Sequence, residues 1–170
     1  VVSLIAFPEL NRCESLEQDL HFYFGREWLT VLNPTNSAKA YVDRIRYVAK
    51  ETPELLVAHH YTRYIGDLSG GQILKNIAQK AMNLPAEDGL RFYEFDRIKD
   101  EKVFKKQYSE TLDSLPINQI TADLIVEEAN KAFKCNMEIF KELEGNVIAA
   151  IGKILFGYIT SKKRKGSTEN

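Results

Sequence analysis

Arg63 and Asp67 stand four residues apart with Gly66 between them and Gly70 and Gly71 just beyond, in a run reading YTRYIGDLSGGQIL from Tyr61 to Leu74. A cation and a carboxylate at that spacing share one helix face, where they can hold a water or a polar ligand. The glycines are the odder part. Each costs about 1 kcal/mol relative to Ala in a helix interior, so the three together give up roughly 3 kcal/mol. A domain is stable by only about 5–15 kcal/mol in total. Glycine compensates for such a cost where backbone must approach a ligand closely or where a helix must bend.

On an ideal helix, Gly70, Arg63 and Asp67 fall roughly 40°, 60° and 100° round the axis from Gly66. One face therefore joins a strip with no side chains to a charged pair, and a flat, bulky ligand fits against such a strip. Close packing of two helices also uses small residues at this spacing, and an exposed Arg–Asp pair is commonly a solvated contact worth under about 1 kcal/mol. The third glycine, Gly71, favours a kinked helix lying over a ligand.

Stepping outward from that run, the chain reads as helices joined by punctuated turns. Pro8 suits a first helical turn, and Leu10, Cys13, Leu16, Leu20 and Phe24 follow at helical spacing before Gly25. Asn36 or Ser37 caps a second helix with Ala38, Tyr41, Val42, Ile45, Val48 and Ala49 as its apolar face. Thr52-Pro53-Glu54 starts the glycine helix, which runs to about Met82. Leu90 to Phe95 is expected as an ordered loop. Asp100 to Leu115 is helical with Val103, Phe104, Tyr108 and Leu112 facing the core, and a last helix carries Ile125, Ala129, Ala132, Phe133, Met137 and Phe140. No strand pair, βαβ alternation or internal repeat is evident, so the expected fold is all-α and a single domain.

Composition narrows the function classes. Twenty-three Lys plus Arg against 24 Asp plus Glu give a net charge of −1, so nothing outside the tail argues for nucleic acid. Cys13 and Cys135 are isolated thiols without metal or redox spacing, and a reducing compartment is the simpler expectation. Val147 to Ile159 is an apolar stretch of residues broken by Lys153, followed by Lys162-Lys163-Arg164-Lys165. It is too short for a span of about 20 residues. Either it is a final core helix with a solvated tail, or it makes peripheral contact with an anionic membrane surface. The expected division is a helical domain over 1–146, incomplete at its N-terminus, and an apolar helix with basic tail over 147–170.

Leu55-Leu56-Val57-Ala58-His59 together with Tyr61-Thr62-Arg63-Tyr64-Ile65-Gly66-Asp67-Leu68-Ser69-Gly70-Gly71-Gln72 resembles the signature segment of eukaryotic heme oxygenases. Phe7-Pro8-Glu9-Leu10, Leu16-Glu17-Gln18-Asp19-Leu20, Lys75 to Ala81, Glu127-Glu128-Ala129, Ala132-Phe133 and Asn136 resemble the same family in order, from about Phe7 to Glu144. The resemblance implies a multi-helix bundle in which heme lies between a proximal helix bearing the iron's histidine ligand and a kinked, glycine-rich distal helix. It implies an enzyme for which heme is both cofactor and substrate. Molecular oxygen and electrons from an NADPH–cytochrome reductase convert heme to biliverdin, carbon monoxide and ferrous iron. The cytoplasm, at the cytosolic face of the endoplasmic reticulum, is the compartment it suggests.

Carried onto this chain, the resemblance implies that Gly66 and Gly70 press backbone against the distal heme face. Asp67 would order a water that steers oxygen onto a ring carbon, with Arg63 supporting it. Tyr61 and Lys105 would reach the propionates and Phe133 would wall the pocket, while Ser69 and Gly71 belong to the same heme-binding strip. Ser109 stands where the family usually carries a propionate-binding arginine, which bears on heme orientation and on the biliverdin isomer. The proximal histidine is expected on a helix preceding the region where this chain begins. His21, His59 and His60 do not match its position, so no residue here is assigned as an iron ligand. The alternatives are a truncated, non-catalytic heme-binding or regulatory protein, and a helical domain that uses its glycines only for packing.

Overall fold

Pro8 does not open the first α-helix. In the computed structural model, which describes residues 1–84 and 88–142, Val2–Ile5 and Pro8–Leu10 form short 3-10 turns, and α1 spans only Cys13–Phe24. Packing explains the difference. Ile5 and Leu10 are buried in the core with Val57, Leu68, Phe104, Tyr108 and Leu115, and the Phe7 ring meets Phe104 edge-on at 5.3 Å. Burying such side chains is worth about 1.5–3 kcal/mol each, more than the net gain of a few extra helical hydrogen bonds at about 1 kcal/mol each. Gly25 then closes α1 with φ of 71°, the left-handed region that glycine enters without a Cβ clash.

The short helix α2 (Trp28–Val31) leads to α3 (Asn36–Glu51). Its cap is Thr35, one residue before the expected Asn36 or Ser37, whose hydroxyl oxygen accepts from the Ala38 N–H at 3.2 Å. Only Tyr41 and Val48 of the expected α3 face are buried, and Val42 stays exposed.

The glycine run does not break its helix. Pro53–Leu55 is a 3-10 turn, α4 spans Leu56–His60, two π-helical stretches cover Tyr61–Ile65 and Asp67–Gly71, and α5 spans Gln72–Met82. Gly66 keeps right-handed helical angles of φ −58° and ψ −49°. At the glycines the helix widens, and the Gly66 N–H reaches the Tyr61 carbonyl five residues back. Such widened turns are rare and frequent at functional sites. Asn83 ends α5 in the left-handed region with φ of 52°.

Arg91–Tyr93 forms a 3-10 turn within the ordered loop expected at Leu90 to Phe95. Helix α6 (Glu101–Asp113) is capped by Asp100, whose Oδ1 accepts from Lys102 N and Val103 N. Helix α7 (Gln119–Glu142) packs across α3 and α4. Phe104 and Tyr108 of α6 are buried but Val103 is exposed, and on α7 Ala132 is buried while Phe133, Met137 and Phe140 are exposed. The apolar stripe of α7 is wider than the face its neighbours cover. No strand occurs among the described residues. None of their helices is long and apolar enough to cross a membrane. The division at residue 147, the apolar stretch after it and the basic tail lie outside the described residues.

Candidate functional site

The two open glycines and the third separate cleanly once the backbone is in place. A Cβ built on Gly66 or Gly70 meets nothing within 4 Å, whereas one built on Gly71 stands 2.9 Å from Tyr93 Cδ1. Gly71 therefore serves close packing, buried where the Arg91–Tyr93 turn crosses the helix. Two provide bare backbone and one provides close approach between elements. A uniform step of about 100° per residue already sets Gly71 roughly 140° round the axis from Gly66, off the open face.

Asp67 sits beside the open strip, and its carboxylate is held by two guanidinium groups. Arg12 Nη2 donates to Oδ2 at 2.9 Å, and Arg63 Nη2 approaches the same oxygen at 3.6 Å. Arg63 in turn donates through Nη1 to Asn136 Oδ1 on α7 at 2.7 Å, and Asn136 is tied to the Ala132 carbonyl. The pairing of Arg63 with Asp67 along one face is as the spacing predicts. Arg12 and Asn136 join it from elements 55 residues upstream and 69 residues downstream of Asp67 in the numbering. The periodicity of the glycine run carries no signal of either.

Tyr61 is exposed, with its ring 6.4 Å from that of Tyr108 on α6. Lys105, one turn before Tyr108 on α6, pairs with Glu101 at 3.2 Å with its side chain one-third exposed, and Ser109 is exposed on the same helix. Tyr61 and this end of α6 are thus neighbours although 44 residues separate Tyr61 from Lys105. Ser69 is exposed on the glycine-containing helix. Phe133 is 54% exposed on α7. It contributes to no wall of the cavity of about 480 Å³ that opens between Arg12, Leu16, Ile45, Leu56 and His60. Neither Gly66 nor Gly70 lines that cavity, although Arg12 and Arg63, the two groups that hold Asp67, do.

The histidines are engaged elsewhere. His59 is buried with Nδ1 facing Tyr41 Oη at 3.4 Å and Nε2 facing Glu128 Oε1 at 3.1 Å. Burial pushes its pKa down, against the upward pull of the Glu128 hydrogen bond. Glu128 is fully buried, and the hydrogen bond from Arg44 is the main cause holding its carboxyl down to about 2. His60 Nδ1 meets Tyr108 Oη at 2.9 Å, and burial lowers its pKa to about 4. His21 lies in a polar cleft with Glu14, Glu17 and Arg91. Among the described residues no cluster of three or more His, Cys, Asp or Glu is arranged to hold a metal ion.

This site lies within a chain that resembles characterised proteins over nearly its whole length. The sequence model of the family described as heme oxygenase matches residues 1–142. The protein called heme oxygenase 1 of Synechocystis is 57% identical over 169 residues, covering 99% of this chain and 70% of that protein. Heme oxygenase 1 of Nostoc is 55% identical over 99% of this chain and 71% of its own length. Among solved structures, that of heme oxygenase-1 from Synechocystis in complex with heme superposes with a TM-score of 0.83 at 58% identity, over 94% of this chain and 72% of the other.

Proposed function

The chain belongs to the heme oxygenase family, and from that premise we propose how its own residues serve the oxidative cleavage of heme to biliverdin, carbon monoxide and ferrous iron. Bound heme supplies both the iron that activates oxygen and the ring that is oxidised. One observation carries the assignment of the site: the open backbone at Gly66 and Gly70 adjoins a carboxylate fixed by two cations. A planar macrocycle needs a face without side chains, and these two positions offer space in which even a methyl group would touch nothing. The donor set fits as well. Among the described residues no hydrogen bond is made to Asp67 Oδ1, so that oxygen is free to accept from a water beside the ligand, while Oδ2 is held.

Arg63 keeps positive charge next to Asp67 and is itself steadied by Asn136. Tyr61 and Lys105 are the groups on this side for the anionic edge of the ligand, with Ser109 unable to supply the charge that an arginine would. The electron donor is an NADPH–cytochrome reductase or an equivalent one-electron donor. The sequence suggested a eukaryotic-type protein of the endoplasmic reticulum. Similarity to Synechocystis and Nostoc proteins supports the coarser family reading and gives no support to that compartment.

The test is hemin titration followed by turnover. Hemin should bind in a 1:1 ratio with a shifted Soret band, and adding reductase, NADPH and oxygen should release biliverdin. Asp67→Ala should keep binding and lose most biliverdin formation. Binding without any biliverdin from the unaltered chain would favour the second reading, a heme-binding protein without catalysis, for which Ser109 is the motivating residue. No binding at micromolar hemin would reject both.

A further inference from the structure

Arg12 is the least expected member of the site, and its surroundings are more elaborate than an ion pair requires. Its side chain is 5% exposed. Nη1 donates to the Phe92 carbonyl at 2.9 Å and Nη2 to Asp67 Oδ2 at 2.9 Å. The guanidinium carbon lies 4.1 Å from the Phe92 ring centroid, 4.5 Å from Phe95 and 5.4 Å from Tyr64. Nη1 and Nη2 are therefore each committed in a different direction, Nε is buried without a partner, and three aromatic rings lie close to the guanidinium. A planar fork fixed in this way has little freedom to turn, which a lysine ammonium in the same place would keep.

The anchor at Phe92 is itself pinned. Asp19, buried on α1, accepts from Arg91 N at 2.9 Å through Oδ1 and from Phe92 N at 2.8 Å through Oδ2. From the other side, Gln72 Nε2 on α5 donates to the Tyr93 carbonyl at 2.6 Å, and Lys75 pairs with Glu94 at 2.6 Å. The Arg91–Tyr93 turn is thus fastened to α1 and to the distal helix, and its carbonyl gives Arg12 a fixed point from which to reach Asp67.

We infer that Arg12 is the positioning residue for Asp67: clamped between the Phe92 carbonyl and an aromatic box, it holds the carboxylate by Oδ2 and leaves Oδ1 turned out to act. The inference rests on the heme oxygenase reading only for what Oδ1 does; the clamp is a property of the protein alone. Arg63 competes for the same oxygen from the same helix, at 3.6 Å and with a side chain 39% exposed. When the closer and more rigid cation is removed, the carboxylate turns toward Arg63.

The heme-free protein gives the first readout. In a crystal structure of Arg12→Gln, the Asp67 carboxylate should swing so that an oxygen lies within charge-assisted hydrogen-bond range of Arg63, about 2.7–2.9 Å. Arg12→Lys should give an intermediate position. The second readout uses hemin-loaded protein. Arg12→Gln should leave hemin affinity within about threefold and lower turnover roughly 10- to 100-fold, the scale expected when a reacting group is misplaced by about 1 Å.

Should Arg12→Gln fail to fold, Asp19→Asn loosens the Phe92 anchor without touching Asp67 and should displace the carboxylate in the same direction. An Asp67 that keeps its place in these variants overturns the inference, as does a parallel loss of hemin affinity and turnover. Absence of hemin binding by the unaltered chain counts against the proposed function and leaves the heme-free geometry as the deciding measurement.

Discussion

Gly71 and Tyr93 are in a contact so close that any larger residue at 71 must displace the ring: a built Cβ would lie 2.9 Å from Tyr93 Cδ1, on the ring and not at the end of a flexible chain. Tyr93 cannot easily yield, because its carbonyl is held by Gln72 and the preceding amide by Asp19. Gly71→Ala gains about 1 kcal/mol of helix propensity and loses about 1–3 kcal/mol to overpacking. The expected net is destabilisation of about 1 kcal/mol, read by urea unfolding. Gly66→Ala, with open space around it, should be neutral or stabilising. Equal effects at the two positions would contradict the division of the glycines drawn here.

Gly70→Leu separates the ligand role from packing. Nothing lies within 4 Å of its Cβ, so leucine fits the heme-free protein and helical content by circular dichroism should be unchanged. The same side chain fills the space a macrocycle would take. Hemin affinity should fall at least about 100-fold, near 2.7 kcal/mol by the usual conversion, in a Soret titration against the unaltered chain.

His60 sets a pH dependence whose sign follows from its lowered pKa. The folded ring titrates at about 4 and the unfolded one at the ordinary 6.5, so between those values the unfolded state binds more protons and stability falls as pH is lowered. The limit from one pKa unit per 1.36 kcal/mol is about 3 kcal/mol, with solvent access to the half-buried ring reducing it. His59, also shifted down by burial, adds in the same direction. Urea midpoints at pH 7 and pH 4.5 should differ, and His60→Gln should shrink the difference while sparing the further loss below pH 4.5 that protonation of Glu128 brings. An unchanged pH profile in His60→Gln would remove this ring as the cause.

Ser109→Arg restores charge one turn beyond Lys105 on α6, at an exposed position that accepts a long side chain without strain. A charge-assisted hydrogen bond to a propionate is worth about 1.5–3 kcal/mol before solvent screening, so hemin affinity should rise about 5- to 10-fold. The biliverdin isomer ratio, resolved by chromatography, should change with it. No gain in affinity would place the propionates away from this face of α6.

Much of this protein was legible from spacing alone. The all-helical fold, the pairing of Arg63 with Asp67, the cap near Asn36, and the open character of Gly66 and Gly70 are consequences of local periodicity and local propensity. Interactions within four residues along one helix are carried in the sequence itself. What spacing missed has a common cause. Gly71 packs against Tyr93 because a turn 22 residues later is laid across the helix. Leu16, Val103 and Phe133 look like core by period and are exposed because no described element covers them.

Arg12 reaches Asp67 only after α1 and the Arg91–Tyr93 turn have been brought together by Asp19. The sequence by itself determined which residues share a helix face. Only the tertiary structure decided which faces meet, because that choice depends on contacts between segments whose order in the chain says nothing of their distance in space.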